Sequence, residues 1–122
     1  MRLMSSVVLL FFLGLFLSAC SASIPVVGET KAGNVLKSDV SRNLAMWSMA
    51  TVKCDRIDSI ETKVVSANPI GTGGNEMSRK YGSVDERWLV RLCGESIPFS
   101  VSFTPDGKGG TFFNISREVK EL

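Results

Sequence analysis

The sequence predicts an α+β fold, in which one N-terminal amphipathic helix packs on a small antiparallel β-meander. Two observations support this class. Apolar residues recur at helical spacing after residue 34, and apolar and polar residues alternate in the second half of the chain. A length of 122 residues limits the protein to one small domain with a modest core.

The helix is predicted over Asn34–Met49, with Asn34 able to cap its start. The polar side chains Lys37, Ser41 and Arg42 point away from a single apolar stripe. That stripe consists of Leu36, Val40, Leu44 and Trp47.

The segments that follow the helix favour extended structure because they are rich in β-branched residues. We expect strand structure at residues 51–54 and 57–65. The Asn68-Pro69 pair and the glycines after it predict a mobile loop that reaches to about Ser83.

The second half of the chain contains the clearest strand patterns. Residues 88–93 are mostly apolar and predict a strand buried on both faces, and Gly94-Glu95-Ser96 predicts a turn. Residues 99–103 alternate strictly, the Thr104–Gly107 segment is typical of a turn, and residues 111–115 form the return strand. We expect the helix to cover an aromatic face made by Trp88, Phe99, Phe103 and Phe113.

The first residues of the chain follow the plan of a secretory signal. Arg2 is followed by an apolar run from Val7 to Leu17 and then by small residues. The run has roughly 11 residues, whereas a helix needs about 20 to cross a bilayer, so a permanent membrane span is the poorer interpretation.

The tetrad Leu17-Ser18-Ala19-Cys20 resembles the lipobox of bacterial lipoproteins. The resemblance implies that residues 1–19 are removed and that Cys20 carries a diacylglycerol and becomes the first residue of the mature protein. Several acyl chains would anchor the protein firmly. Ser21, rather than Asp, after the cysteine implies the outer membrane, periplasmic face.

The remainder then divides into a flexible tether over residues 20–33, one domain over residues 34–117 and a polar tail over residues 118–122. Within the domain, Cys54 and Cys93 are the two cysteines left, and in an oxidising compartment we expect them to pair. Closing a loop of roughly 40 residues stabilises by about 4 kcal/mol in the chain-entropy model. A redox role is disfavoured because the pair lacks C-x-x-C spacing.

The composition argues against most enzyme classes. The chain has no His, which removes the Ser-His-Asp and Cys-His arrangements and the commonest metal ligand, so we expect no metal, no cofactor and no catalytic activity. The acidic neighbours Asp55 with Asp58, and Asp85 with Glu86, are the local candidates for acid–base chemistry. A net charge of +2 without a basic block disfavours nucleic acid as a partner.

One candidate interaction patch consists of Arg87, Trp88 and Arg91, because Trp and Arg are favoured at protein interfaces. The alternative is that Trp88 belongs to the core. The W-x-V-x-x-C-G run from Trp88 to Gly94 resembles small uncharacterised envelope lipoproteins. We therefore expect a non-enzymatic binding or structural module of the cell envelope, with an envelope protein as partner. The alternative function is a defence lipoprotein, because lysozyme-inhibitor lipoproteins share this size and location.

Overall fold

A computed structural model describes residues 23–118, which form five strands and two helices. The proposed signal peptide, Cys20 and residues 119–122 of the polar tail lie outside the described residues. The elements in chain order are β1 (Val26–Gly28), α1 (Asn34–Val52), β2 (Ser59–Asn68), α2 (Glu76–Tyr81), β3 (Ser83–Leu92), β4 (Glu95–Pro105) and β5 (Thr111–Arg117).

The five strands form one mixed sheet in the order β1-β2-β3-β4-β5. The α+β class is confirmed, and β2 to β5 are antiparallel neighbours, as predicted for a meander. The prediction of a wholly antiparallel sheet with the helix first is wrong, because β1 precedes α1 and pairs with β2 in parallel. Parallel neighbours need a long crossover. Helix α1 is that crossover as well as the cover of the sheet.

The predicted tether is part of the domain from Ile24 onward. Ile24 and Val26 pack against the core, and Val27 accepts a hydrogen bond from the Thr62 hydroxyl at 3.3 Å. Gly28 has φ +111°, and a Cβ there would collide with the Thr62 carbonyl oxygen. A strand of three residues is too short to show alternation, which is why the sequence pattern missed it.

Helix α1 runs to Val52, Lys53 ends it in a left-handed conformation, and the next strand begins only at Ser59, so the strand predicted at residues 51–54 is wrong. Gly33, not Asn34, is the N-cap, and because glycine has no side chain the start of α1 receives no side-chain cap hydrogen bond. Val40 and Leu44 are fully buried as predicted, but Trp47 is 56% exposed. Small side chains take its place against the sheet, which rotates the buried stripe around the helix. These are Ser41, Ala45 and Ser48.

The core lies between α1 and one face of the sheet. Of the predicted aromatic face, Trp88, Phe99 and Phe103 are buried and Phe113 is partly buried. Strand β3 is buried on this face alone, since Arg87 and Arg91 are exposed on the other. The opposite face of the sheet, called the open face below, presents mainly polar side chains.

Two connections differ from prediction. Strands β3 and β4 are joined by the two residues Cys93 and Gly94, which have φ 45° and 73°, whereas Glu95 and Ser96 belong to β4. A two-residue hairpin of this kind needs positive φ at both positions. The segment predicted as a mobile loop contains α2, whose start is capped by Asn75 through a 2.8 Å hydrogen bond from the Ser78 amide.

Candidate interaction surfaces

The predicted disulfide is confirmed. Cys54 follows α1, Cys93 lies in the β3–β4 turn, and the two Cα atoms are 6.2 Å apart across a separation of 39 residues. The bond ties the end of α1 to one end of the sheet. Cys54 is buried and Cys93 is exposed, so the bond is a cross-link at the margin of the core.

The three residues of the predicted patch do not share one surface. Trp88 is fully buried beneath α1, and its indole N–H donates to Glu86 Oε1 at 2.9 Å. Arg87 and Arg91 lie on the open face, each with 49% of the side chain exposed. Because side chains alternate along a strand, the residue between two exposed positions faces the core. Trp88 is therefore a core residue and leaves the patch.

The two arginines flank Leu89 on the open face. Arg91 forms a two-contact ion pair with Glu61, at 3.0 and 3.3 Å, and Arg87 contacts Glu118 at 3.1 Å. Exposed ion pairs contribute only about 0–1 kcal/mol, so these guanidinium groups can exchange their partners at little cost. Leu89 is partly buried and lies opposite Pro98 of β4. Arg87, Leu89 and Arg91 together form what we call the arginine patch.

A polar cluster occupies the open face beyond this patch. The Asp85 carboxyl accepts hydrogen bonds from Asn68 Nδ2 at 2.9 Å, Ser102 Oγ at 2.8 Å and Ser66 Oγ at 3.1 Å. Burial alone raises the pKa of Asp85, but these three hydrogen bonds outweigh it and hold the pKa below its ordinary value. The cluster joins three strands at the point where the β2 register shifts between Val64 and Ser66.

Neither pair of acidic neighbours makes an acid–base site. Asp85 lies on the open face and Glu86 on the core face, so their carboxyl groups are separated by the sheet. Asp55 and Asp58 are exposed, and Asp58 lies 3.9 Å from Arg56. A catalytic pair needs both groups to face the same reacting atom.

Glu86 is a buried carboxyl group that the sequence patterns did not identify as part of the core. It is 1% exposed and accepts hydrogen bonds from the Thr30 hydroxyl at 2.6 Å, the Lys31 amide at 2.8 Å and the Trp88 indole at 2.9 Å. The Thr30 hydroxyl accepts in turn from the Ala32 amide at 3.1 Å. The network holds the chain between β1 and α1 on the sheet. Alternation was the available signal, because Glu86 shares its parity with the buried Trp88.

An apolar groove lies between α1 and β5. It has a volume of about 360 Å³, and its wall includes Trp47 and Met46, which are 56% and 65% exposed, and Ile115. The centroids of the Trp47 and Phe99 rings are 6.0 Å apart, so the inner edge of Trp47 contacts the core. Large exposed apolar side chains in one place are a common sign of a contact surface.

A second cleft, of about 460 Å³, lies at the other end of the sheet, where Leu36, Tyr81 and Phe103 line its wall. Across residues 23–118, the helices are too short or too polar to span a membrane. In the same part of the chain, no cluster of three or more acidic or cysteine side chains is placed to bind a metal ion.

Comparison with known proteins identifies no relative of this chain. No protein-family model matches it, and neither the curated proteins nor the solved structures include a significant match.

Proposed function

We propose that the chain is the precursor of a bacterial lipoprotein, whose mature domain is held by acyl chains on Cys20 at the periplasmic face of the outer membrane. The observation that carries the proposal is the Leu17–Cys20 lipobox at the end of an apolar run. The Cys54–Cys93 disulfide agrees with it, because such bonds form and persist in oxidising compartments. Ser21 after the cysteine favours the outer membrane.

We propose further that the domain acts by binding another envelope protein rather than by catalysis. The chain lacks His, and the carboxyl groups of Asp85 and Glu86 lie on opposite faces of the sheet. The arginine patch supplies the chemistry for a partner with carboxylate groups. Two guanidinium groups flank an apolar side chain, Arg91 already binds a carboxylate through two contacts, and Arg is favoured at interfaces.

The anchor is tested by the intact mass of the protein extracted from its native membrane, before and after reduction and alkylation. The expected mass is that of residues 20–122 plus acyl chains, with two thiols alkylated only after reduction. Cys20→Ala is the matched control and should lose the acyl mass while it keeps the disulfide. A full-length, unacylated wild-type chain with free thiols would overturn the proposal.

The binding role is tested by crosslinking in intact envelopes, followed by affinity purification and mass spectrometry. We expect a reproducible partner with the wild-type chain and its loss with the Arg87→Glu/Arg91→Glu double variant. Arg42→Glu, on the exposed side of α1, is the charge-reversal control and should keep the partner. An identical set of crosslinked proteins for all three chains, or none for the wild type, would contradict the role.

The alternative function, inhibition of lysozyme, is tested by adding the purified protein to a lysis assay. An unchanged lysis rate at a large molar excess removes it. If the protein slows lysis and the double arginine variant slows it equally, the inhibitory surface is one other than the arginine patch.

A further inference from the structure

Among residues 23–118, β5 is an edge strand of the sheet, and the backbone groups that point to its free edge can be assigned. The Glu118 amide donates to the Pro98 carbonyl at 3.0 Å, and the Asp106 amide donates to the Gly110 carbonyl at 3.0 Å. In an antiparallel pair, residues that bond to the neighbour alternate with residues that point away from it. The even-numbered residues of β5 therefore bond to β4. The residues whose N–H and C=O point to the free edge are Thr111, Phe113, Ile115 and Arg117.

Apart from Arg117 at its end, this edge carries none of the features that usually prevent strands from pairing with other molecules. Such features are charged side chains, proline, bulges or a very short strand. Strand β5 pairs with β4 over its full length without a register shift, and residues 111–116 include no charged residue and no proline. The opposite edge of the sheet is different, because β1 has three residues.

Exposed apolar side chains flank the free edge on both faces of the sheet. On the helix side, Phe113 and Ile115 are only partly buried, and the groove beside Ile115 is walled by Trp47 and Met46. On the open face, Phe112 is 59% exposed. A strand added to this edge would gain backbone hydrogen bonds and apolar contacts together.

We propose that β5 pairs in antiparallel orientation with β5 of a second copy of this chain, with Asn114 opposite Asn114 at the two-fold axis. This register is the one that pairs all four outward-pointing residues of each strand. It places Phe113 opposite Ile115 of the other copy on the helix side. Arg117 lies opposite Thr111, so the two Arg117 residues are about 20 Å apart and do not repel each other closely.

The charge and symmetry of the strand favour a second copy over an unrelated strand. In this register Phe113 meets the apolar Ile115, Phe112 meets Ser116 and Arg117 meets the uncharged Thr111, so no like charges face each other and the strand is complementary to itself, as a two-fold interface requires. The two sheets become one continuous sheet with both α1 helices on the same side. Apolar side chains of the second copy then cover the groove beside Trp47. The inference does not depend on lipidation of Cys20.

Cysteine scanning of β5 in the full chain tests the register. Single cysteines are placed at positions 112 to 116, and the protein is extracted in mild detergent, treated with a mild oxidant and separated on non-reducing gels. Asn114→Cys should give roughly ten times more disulfide-linked dimer than Phe112→Cys or Ser116→Cys, because a directly opposite, non-hydrogen-bonded pair brings the two Cα atoms to about 4.5 Å. The wild-type chain controls for Cys20, Cys54 and Cys93. Equal crosslinking at all five positions, or a maximum at another position, would overturn the proposal.

The mass in solution tests the dimer independently. Light scattering on the full chain should give a dimer for the wild type and for Val35→Lys, a substitution at an exposed site on α1, and a monomer for Ile115→Lys. Circular dichroism must show that Ile115→Lys keeps the wild-type fold, and Phe113→Lys provides a second edge variant if it does not. A monomeric wild type, or a dimer that survives both edge substitutions, would refute the pairing. If Asn114→Cys crosslinks to other envelope proteins and not to a second copy of the chain, the edge binds a different partner and the dimer is refuted.

Discussion

Replacement of Glu86 by Gln changes one atom in the network that holds the chain before α1. Both carboxyl oxygens of Glu86 accept hydrogen bonds, from Thr30 and Trp88 at Oε1 and from Lys31 at Oε2. A glutamine amide must place its NH2 group at one of these positions, where it meets an N–H donor. The substitution therefore leaves a buried donor without an acceptor, whichever way the amide is turned.

The expected cost follows from the burial of the site, because Glu86 is 1% exposed. A buried donor without a partner costs about 1–3 kcal/mol, and the amide NH2 placed against an N–H group adds a repulsive contact. We expect the free energy of unfolding to fall by about 3 kcal/mol, which lowers Tm by roughly 15 °C in a domain of this size.

Urea and thermal unfolding followed by circular dichroism, with the disulfide intact, measure this loss. Thr30→Val is the matched control, since it removes one donor to the same carboxyl and should cost about 1 kcal/mol. The Thr30→Val/Glu86→Gln double variant should lose less stability than the sum of the two single losses, because Thr30 and Glu86 contact each other. A Glu86→Gln variant within about 0.5 kcal/mol of wild type would refute this account of the network.

Three other substitutions give separate predictions. The folded-state pKa of Asp85 is lowered, so its ionised form stabilises the fold above about pH 4, and this contribution is lost as pH falls through the folded pKa. Asp85→Asn should therefore lower the free energy of unfolding by about 1 kcal/mol at pH 7. Unfolding curves measured in acid should show the difference from wild type becoming smaller. Lys53 ends α1 with φ 56°, so Lys53→Gly should raise stability by about 0.5–1 kcal/mol in urea unfolding, while Lys53→Ala should not. Loss of the disulfide in Cys54→Ala/Cys93→Ala should lower the free energy of unfolding by about 4 kcal/mol or less. Cys54→Ala/Cys93→Asn should recover about 0.5–1 kcal/mol of this, because Asn tolerates φ 45° at that turn. Equal stability of the two double variants would show that the backbone conformation at Cys93 does not matter.

The candidate surfaces could be predicted from the sequence only in part. The pattern around Trp88 placed two arginines near a tryptophan, but a strand separates neighbours onto opposite faces, so only Arg87 and Arg91 remain exposed. The groove beside Trp47 was also missed, because helical spacing alone admits Trp47 to the buried stripe. Three small residues of α1 pack against the sheet instead, which leaves Trp47 at the margin of the contact between helix and sheet. These residues are Ser41, Ala45 and Ser48.

The sequence by itself determined the α+β class, the central part of α1, strands β3 to β5 in outline and the pairing of Cys54 with Cys93. These features depend on local periodicity or on having only two cysteines to pair. Tertiary structure alone decided the parallel pairing of β1 with β2, the contacts of Glu86 with Thr30 and Lys31, and the free edge of β5. Each of these joins or separates segments that are distant in the chain, and local patterns of hydrophobicity carry no information about which distant segment becomes the neighbour.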